Sequence, residues 1–342
     1  MRHALLMAAA LYGCGGSTLA PADARPASLA EPETRPLASA AMREIATLER
    51  ARSAGDGALA RWADDPDPKV RRAAVRALGR LQTADLDVIA GALADPEAEV
   101  RSEAAFALGQ HPDAILAPLI ARLAKESDVS VRHALVQAMG KRATAADLPA
   151  LLAAARDDDT DTRAAARAGV GLLARRADGK LDGLDAPTLA AWLTDAAPGA
   201  RAGAAYALMR SRALDGDDVL ATASACATDP DLEVRVHCVH ALDRFGARAL
   251  EALARAAKDP HWRVRVQAAR ALAKTEADED LAAMIQAAAD DLAAGHLDPA
   301  GSALHPALTA LDAALERPDP APFVAAATAM AAAAAPRAAL DV

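Results

Sequence analysis

The chain has 342 residues, of which 53% are hydrophobic but only 2% aromatic, and its net charge is −9. The acidic balance excludes a broadly basic nucleic-acid-binding surface, which needs Lys and Arg clustered against phosphates, and three cysteines exclude a disulfide-scaffold protein. The apolar content is mostly Ala and Leu, strong helix formers, so the composition predicts an all-α protein that buries area by close approach of small side chains.

The N-terminus reads "MRHALLMAAALYGCGG". A short basic start and an apolar run too short to span a bilayer mark residues 1–13 as a signal peptide. Leu11-Tyr12-Gly13-Cys14 resembles a bacterial lipobox, with Tyr12 larger than the usual residue there. That resemblance implies cleavage before Cys14 and lipidation of its sulfur. It further implies a lipoprotein of the cell envelope, facing the periplasm from the outer membrane, that meets the membrane only through this anchor. The alternatives are an ordinary signal peptide cut after Ala20 and an uncleaved apolar start. Residues 14–38 are rich in Ala, Pro, Ser and Gly without apolar periodicity, which predicts a flexible tether.

From residue 39 to 275 the chain repeats. "DPDPKVRRAAVRALG" at 65–79 recurs as "DPEAEVRSEAAFALG" at 95–109 and "ESDVSVRHALVQAMG" at 126–140. Weaker copies start at 157 and 195, and "DPDLEVRVHCVHALD" at 229–243 and "DPHWRVRVQAARALA" at 259–273 complete the set. The aligned arginines are Arg71, Arg101, Arg132, Arg163, Arg201, Arg235 and Arg265. In the first copy Val70, Ala73, Ala74, Ala77 and Leu78 form one apolar helical stripe, and the preceding acid and proline are helix-start signals. A shorter apolar helix precedes each copy, with Leu59, Ile89, Ile120, Leu151 and Leu189 as its core column. Each unit is therefore two antiparallel helices around an acidic turn, and only stacking buries its apolar face.

These residues resemble the HEAT-repeat family in its short bacterial form, similar to the repeats of phycobilin-lyase-type proteins. The resemblance covers about residues 56–275 and implies a right-handed α-solenoid of about seven stacked units. Asp65, Asp95, Glu126, Asp157, Asp195, Asp229 and Asp259 stand six residues before the arginines. The family pattern implies that these acids and arginines form a structural ladder between successive units. The units run shorter than usual for the family, and the fourth and fifth are degenerate.

The stretch "EVRVHCVHALDRFG" at 233–246 brings two histidines beside Cys238, with Cys226 twelve residues before it. In register, Cys238 shares a column with Ala74, Ala104 and Leu135, and Cys226 one with Trp62, Ala92, Leu123, Ala154, Trp192 and Ala256. Both read as core positions, either as small free hydrophobes or as a disulfide in an oxidising compartment; geometry decides between them. No third ligand joins His237 and His240, so no metal site is expected. Nor does any nucleophile–base pair, phosphate loop or dinucleotide fingerprint stand out, so neither catalytic residues nor cofactors are expected.

The exposed ridge of the second helices carries Arg76, Phe106, Gln137, Tyr206, His240 and Arg270. The resemblance implies that this helix lines the concave surface of the solenoid. Phe106 and Tyr206 are the natural interface anchors in so aromatic-poor a chain. Residues 276–342 lose the register and predict an Ala-rich helical cap. The reading is a non-catalytic scaffold that binds a protein or peptide partner, with no nucleic acid. The alternative is a relative of cyclophilin-fused peptidyl-prolyl isomerase proteins that lacks the catalytic domain, suggested by "EIATLERARSAGDGALARWADDPDPKVR" at 44–71. A chromophore lyase or chaperone is implied by the phycobilin-lyase resemblance alone.

Overall fold

The computed structural model describes residues 40–81, 85–112, 115–275, 278–293, 304–315 and 323–329. Cys14 and the segments 1–13 and 14–38 lie outside these residues. Among the described residues all regular structure is helical, and no helix is long and apolar enough to cross a membrane. Tertiary contacts divide the chain at Phe245 and Gly246 into two units. The backbone leaves helical conformation there, with Gly246 at φ 53°, a region that favours glycine.

The first unit, residues 38–245, opens with α1 (Ala40–Ala51) and continues as short–long helix pairs. These are α2 (Ala58–Trp62) with α3 (Pro68–Gly79), α4 (Leu86–Gly91) with α5 (Ala98–Gln110), and α6 (Ala117–Leu123) with α7 (Val129–Arg142). They continue as α8 (Leu148–Ala154) with α9 (Thr160–Arg176), α10 (Ala186–Leu193) with α11 (Pro198–Arg210), and α12 (Asp217–Cys226) with α13 (Leu232–Leu242). Sequence sets where the long helices start. Asp67 precedes Pro68 at the first position of α3 and accepts from the Lys69 amide at 2.9 Å. Asp128, Asp159 and Asp231 cap α7, α9 and α13 in the same way. Each such cap is worth about 1 kcal/mol.

The long helices pack side by side, α3 on α5, α5 on α7, α7 on α9, α9 on α11 and α11 on α13. Their inner stripes are fully buried, as with Val70, Ala74 and Leu78 on α3. From the short helices, Leu59, Ile89, Leu151 and Leu189 fill the same core. Two sequence assignments need correction. Leu119 takes the fully buried place in α6, whereas Ile120 is half-buried. The column of Cys226 is buried at Ala154, Trp192 and Ala256 but half-buried at Trp62, Ala92 and Leu123, because the following position, Ala63 or Leu93, takes the core place there.

Small residues make the seam between long helices. A Cβ built on Gly140 of α7 would lie 2.8 Å from the Cα of Gly169 on α9. No side chain fits where backbone faces backbone at that distance, and this is the physical use of an Ala- and Gly-rich, aromatic-poor composition. The described part of the second unit lies within residues 246–342. It holds one short–long pair, α14 (Leu250–Ala256) and α15 (Trp262–Leu272), followed by α16 (Asp278–Ala293) and α17 (Leu304–Leu315). Leu281, Ile285 and Ala289 form the buried stripe of α16, and Ala307, Ala310 and Ala314 that of α17, the two helices packing on each other and on α15. Residues 323–329 are helical.

Gly140→Val should lower the unfolding free energy by about 3 kcal/mol, since overpacking a closed seam forces backbone apart. Gly199→Ala is the control. Its Cβ would meet nothing within 4 Å, and it should stabilise by about 0.5 kcal/mol. Urea titrations of both variants followed by circular dichroism check the opposite signs.

Candidate functional site

Each acidic turn of the first unit is closed from two directions. Within its own turn, the Asp65 carboxylate accepts from the Asp67 amide at 2.8 Å. The guanidinium of Arg71 donates through Nη1 to the carbonyls of Asp65 and Pro66, at 2.9 and 3.2 Å. Through Nε and Nη2 it donates to both carboxylate oxygens of Asp95 in the next turn, at 2.7 and 2.8 Å. One planar fork thus ties a turn to itself and to its neighbour. The pattern repeats from Arg101 to Glu126, at 2.9 and 3.0 Å. It continues from Arg163 to Asp195 at 2.8 and 3.2 Å, and from Arg201 to Asp229 at 2.8 and 3.0 Å. Arg132 pairs with Asp157 in the same sense. Arg235 and Arg265 grip their own turns, donating to the Asp229 and Asp259 carbonyls at 2.9 and 2.8 Å.

Asp95, Glu126 and Asp195 are held ionised. Burial opposes the charge on Glu126, but hydrogen bonds from Arg101, the Asp128 amide and Arg122 overcome it and hold its carboxyl down at about 2. The Arg163 hydrogen bond lowers Asp195 against its burial. Asp195 also pairs with Arg167 at 2.9 Å. Arg167 is buried in a column that holds Val75, Ala105, Val136 and Ala205 elsewhere. It donates to the carbonyls of Ala155, Trp192 and Ala200 and lies 5.5 Å from the Trp192 ring centroid. No periodic reading of the sequence flags it, because its partners come from three other segments.

A second set of arginines escapes the repeat pattern for the same reason. At the C-terminal ends of the long helices, Arg142 donates to the Pro112 carbonyl. Arg176 donates to the carbonyls of Gly140 and Ala143, at 3.0 and 2.8 Å. Arg244 donates to those of Leu208 and Ser211, both at 2.6 Å. Each cation therefore caps the C-terminal end of the preceding long helix.

Along the outward ridge, Phe106, Gln137 and His240 are exposed, and Arg76 and Tyr206 are half-exposed. Arg270, in the second unit, is exposed. Phe106 keeps 53% of its surface in solvent, with the Lys141 ammonium 5.0 Å from its ring centroid. Gln137 contacts His133 at 2.8 Å. Tyr206 meets the His237 ring edge-on at 5.4 Å and the Arg210 guanidinium at 5.3 Å. Protein packed around His240 lowers its pKa; Asp243 opposes the fall, and Arg210, His237 and Arg212 add to it. A shallow cavity of about 370 Å³ opens at the N-terminal end of this face, lined by Met42, Arg72, Arg76 and Glu99 among others.

Cys226 and Cys238 are joined by a disulfide between α12 and α13, with Cα atoms 5.8 Å apart. Of the two readings of this pair, the bonded one is realised. His237 is half-buried and His240 exposed. Among the described residues no group of three or more His, Cys, Asp or Glu side chains is placed to hold a metal ion.

Models of HEAT repeats match residues 57–84, 86–171 and 219–304. A search of curated proteins returned no match. Among solved structures, the YibA protein of E. coli is 18% identical over 86% of this chain and 98% of its own, with a TM-score of 0.49. An engineered protein is 19% identical over 80% of both chains, with a TM-score of 0.47. A chain from the structure of Kap95p with RanGDP is 14% identical over 85% of this chain and 50% of its own, with a TM-score of 0.53. That last likeness speaks to the fold.

Replacing Glu126 tests the turn lattice. Its pKa is lower in the folded than in the unfolded chain, so its contribution is complete above about pH 4.5 and is lost as pH falls toward 2. Glu126→Gln should cost about 3 kcal/mol near neutral pH, because Arg101 is left without its counter-charge. The gap to the parent protein should close between about pH 4.5 and 2, which denaturant titrations across that range measure.

Proposed function

The chain belongs to the HEAT-repeat family, and on that premise we propose that it is a non-catalytic scaffold of the bacterial cell envelope. It holds a protein or peptide partner on the outward ridge of the long helices of its first unit, at Arg76, Phe106, Gln137, Tyr206 and His240. Stacked helix pairs build an extended helical surface suited to protein interaction. The observation that carries the reading is Phe106. In a chain with 2% aromatics, Phe106 keeps more than half its surface in solvent, as do the aliphatic side chains Ile115 and Val129, and it is the one aromatic among them. Large aromatics dominate interface energetics when a partner desolvates them.

The envelope assignment draws support from two directions. Leu11-Tyr12-Gly13-Cys14 resembles a lipobox, and Cys226–Cys238 is bonded, a state that persists in oxidising compartments. Lipidation at Cys14 and a tether over residues 14–38 then keep the helical body clear of the bilayer surface.

Cross-linking the chain in envelope extracts should capture a partner, and Phe106→Ala together with Tyr206→Ala should reduce its recovery at least about tenfold. Recovery unchanged in both variants rules out this ridge. Separately, Cys14→Ser should shift the protein from the membrane to the soluble fraction and abolish incorporation of radiolabelled palmitate. Membrane association that persists in that variant removes the anchor from the proposal.

A further inference from the structure

The two sets of arginines differ in what neutralises them. On the turn side of the first unit Arg71, Arg101, Arg132, Arg163 and Arg201 each meet a carboxylate. At the C-terminal ends of α7, α9 and α13, Arg142, Arg176 and Arg244 spend their donors on backbone carbonyls instead. A helix C-terminus offers only about half a negative charge, so each cap leaves a net positive residue. Between them, Arg210 lies against Tyr206 rather than against an acid, and Arg212 is exposed beside it. The Nε donors of Arg142 and Arg210 are both buried without a hydrogen-bond partner.

The electrostatics register this crowding. Burial lowers Arg176 and Arg142 lowers it further. Burial pushes Arg244 down to about 10, with Arg212 adding to the fall while Asp215 and Asp243 oppose it. We propose that the C-terminal edge of the long helices α7, α9, α11 and α13 binds an acidic peptide segment of the partner, at Arg142, Arg176, Tyr206, Arg210, Arg212 and His240. This rests on the scaffold reading and specifies the chemistry of what is held. Carboxylates of the segment lie along the guanidinium edge, and an apolar side chain between them packs on Tyr206.

A short acidic peptide suits this edge better than a nucleic acid. At physiological salt, charges more than about 8 Å apart are screened, so a short segment feels the local cations alone. A long polyanion extends beyond these few cations onto a chain whose net charge is −9.

The test uses the full chain and fluorescence anisotropy with a labelled peptide of alternating Glu and Leu. A Lys-Leu peptide and a single-stranded oligothymidylate serve as competitors of opposite and like charge. The acidic peptide should bind and weaken as salt rises. Arg210→Glu with Arg212→Glu should weaken it at least about tenfold, and Tyr206→Ala by several-fold. Arg50→Glu with Arg61→Glu, exposed on α1 and α2, should leave it unchanged and controls for the same change in net charge. Absence of binding, equal binding of the Lys-Leu peptide, or insensitivity to the double variant overturns the proposal, as does oligothymidylate binding as tightly as the acidic peptide. Cross-linked capture of a partner without binding of the acidic probe overturns the acid specificity and leaves the scaffold reading standing. Probe binding without capture removes the scaffold reading instead.

Discussion

A single guanidinium fork, repeated along the chain, fixes how one helix pair sits on the next. Helix pairs poor in aromatics have little shape to key their stacking. Ala-on-Gly seams can slide, because they lack knobs. The fork from Arg71 to Asp95 removes that freedom. It binds the carbonyls of one turn and the carboxylate of the next with one guanidinium, so register and spacing are set together. The seam at Gly140 and Gly169 then closes to backbone contact, which a loosely registered stack could not sustain. Charge pairing of this kind contributes specificity more dependably than net stability, and here it serves a core whose apolar packing is smooth.

The turn side and the helix-end side solve different problems with the same side chain. In the turns, arginine meets carboxylate, and hydrogen bonds from Arg101, the Asp128 amide and Arg122 hold Glu126 ionised far below the usual carboxylate range against its burial. At the helix ends, arginine meets carbonyl oxygens. The first arrangement is electrically closed and the second is open. The basic residues of that side are Lys141-Arg142, Arg175-Arg176 and Arg210-Ser211-Arg212, each at the end of a long helix.

Much of the fold was legible in the sequence because it is written at a fixed period. Asp65, Arg71 and the Val70–Leu78 stripe recur with the same spacing, and the helix starts are marked by acid and proline. Features that break the period were not legible. Arg167 occupies an apolar column, and only the carbonyls of Ala155, Trp192 and Ala200 explain it. Arg142, Arg176 and Arg244 each answer to acceptors about a repeat away. In α6 the core position moved by one, from Ile120 to Leu119, a rotation that alternating apolar neighbours leave undetermined. The Cys226–Cys238 pair was legible as a possibility, since the register put both on inward columns, and only the approach of α12 to α13 decided it. The outward ridge followed from the register of the long helices, whereas the ring contacts of Tyr206 with His237 and Arg210 depend on neighbouring helices.

The covalent bond has a bearing on where the first unit opens. Stacks held by nearest-neighbour contacts unravel from their ends, one pair at a time. Within residues 38–245 the bonded pair is the last one, so α12 and α13 cannot separate even when their packing loosens. The opposite end, at α1 and α2, has no such clasp. Fraying in this unit is therefore directional, entering at the N-terminal pairs and stopping last beside Tyr206 and His237. Of the ridge proposed for binding, Tyr206 and His240 sit toward the end that stays closed, whereas Arg76 and Phe106 lie toward the end that frays.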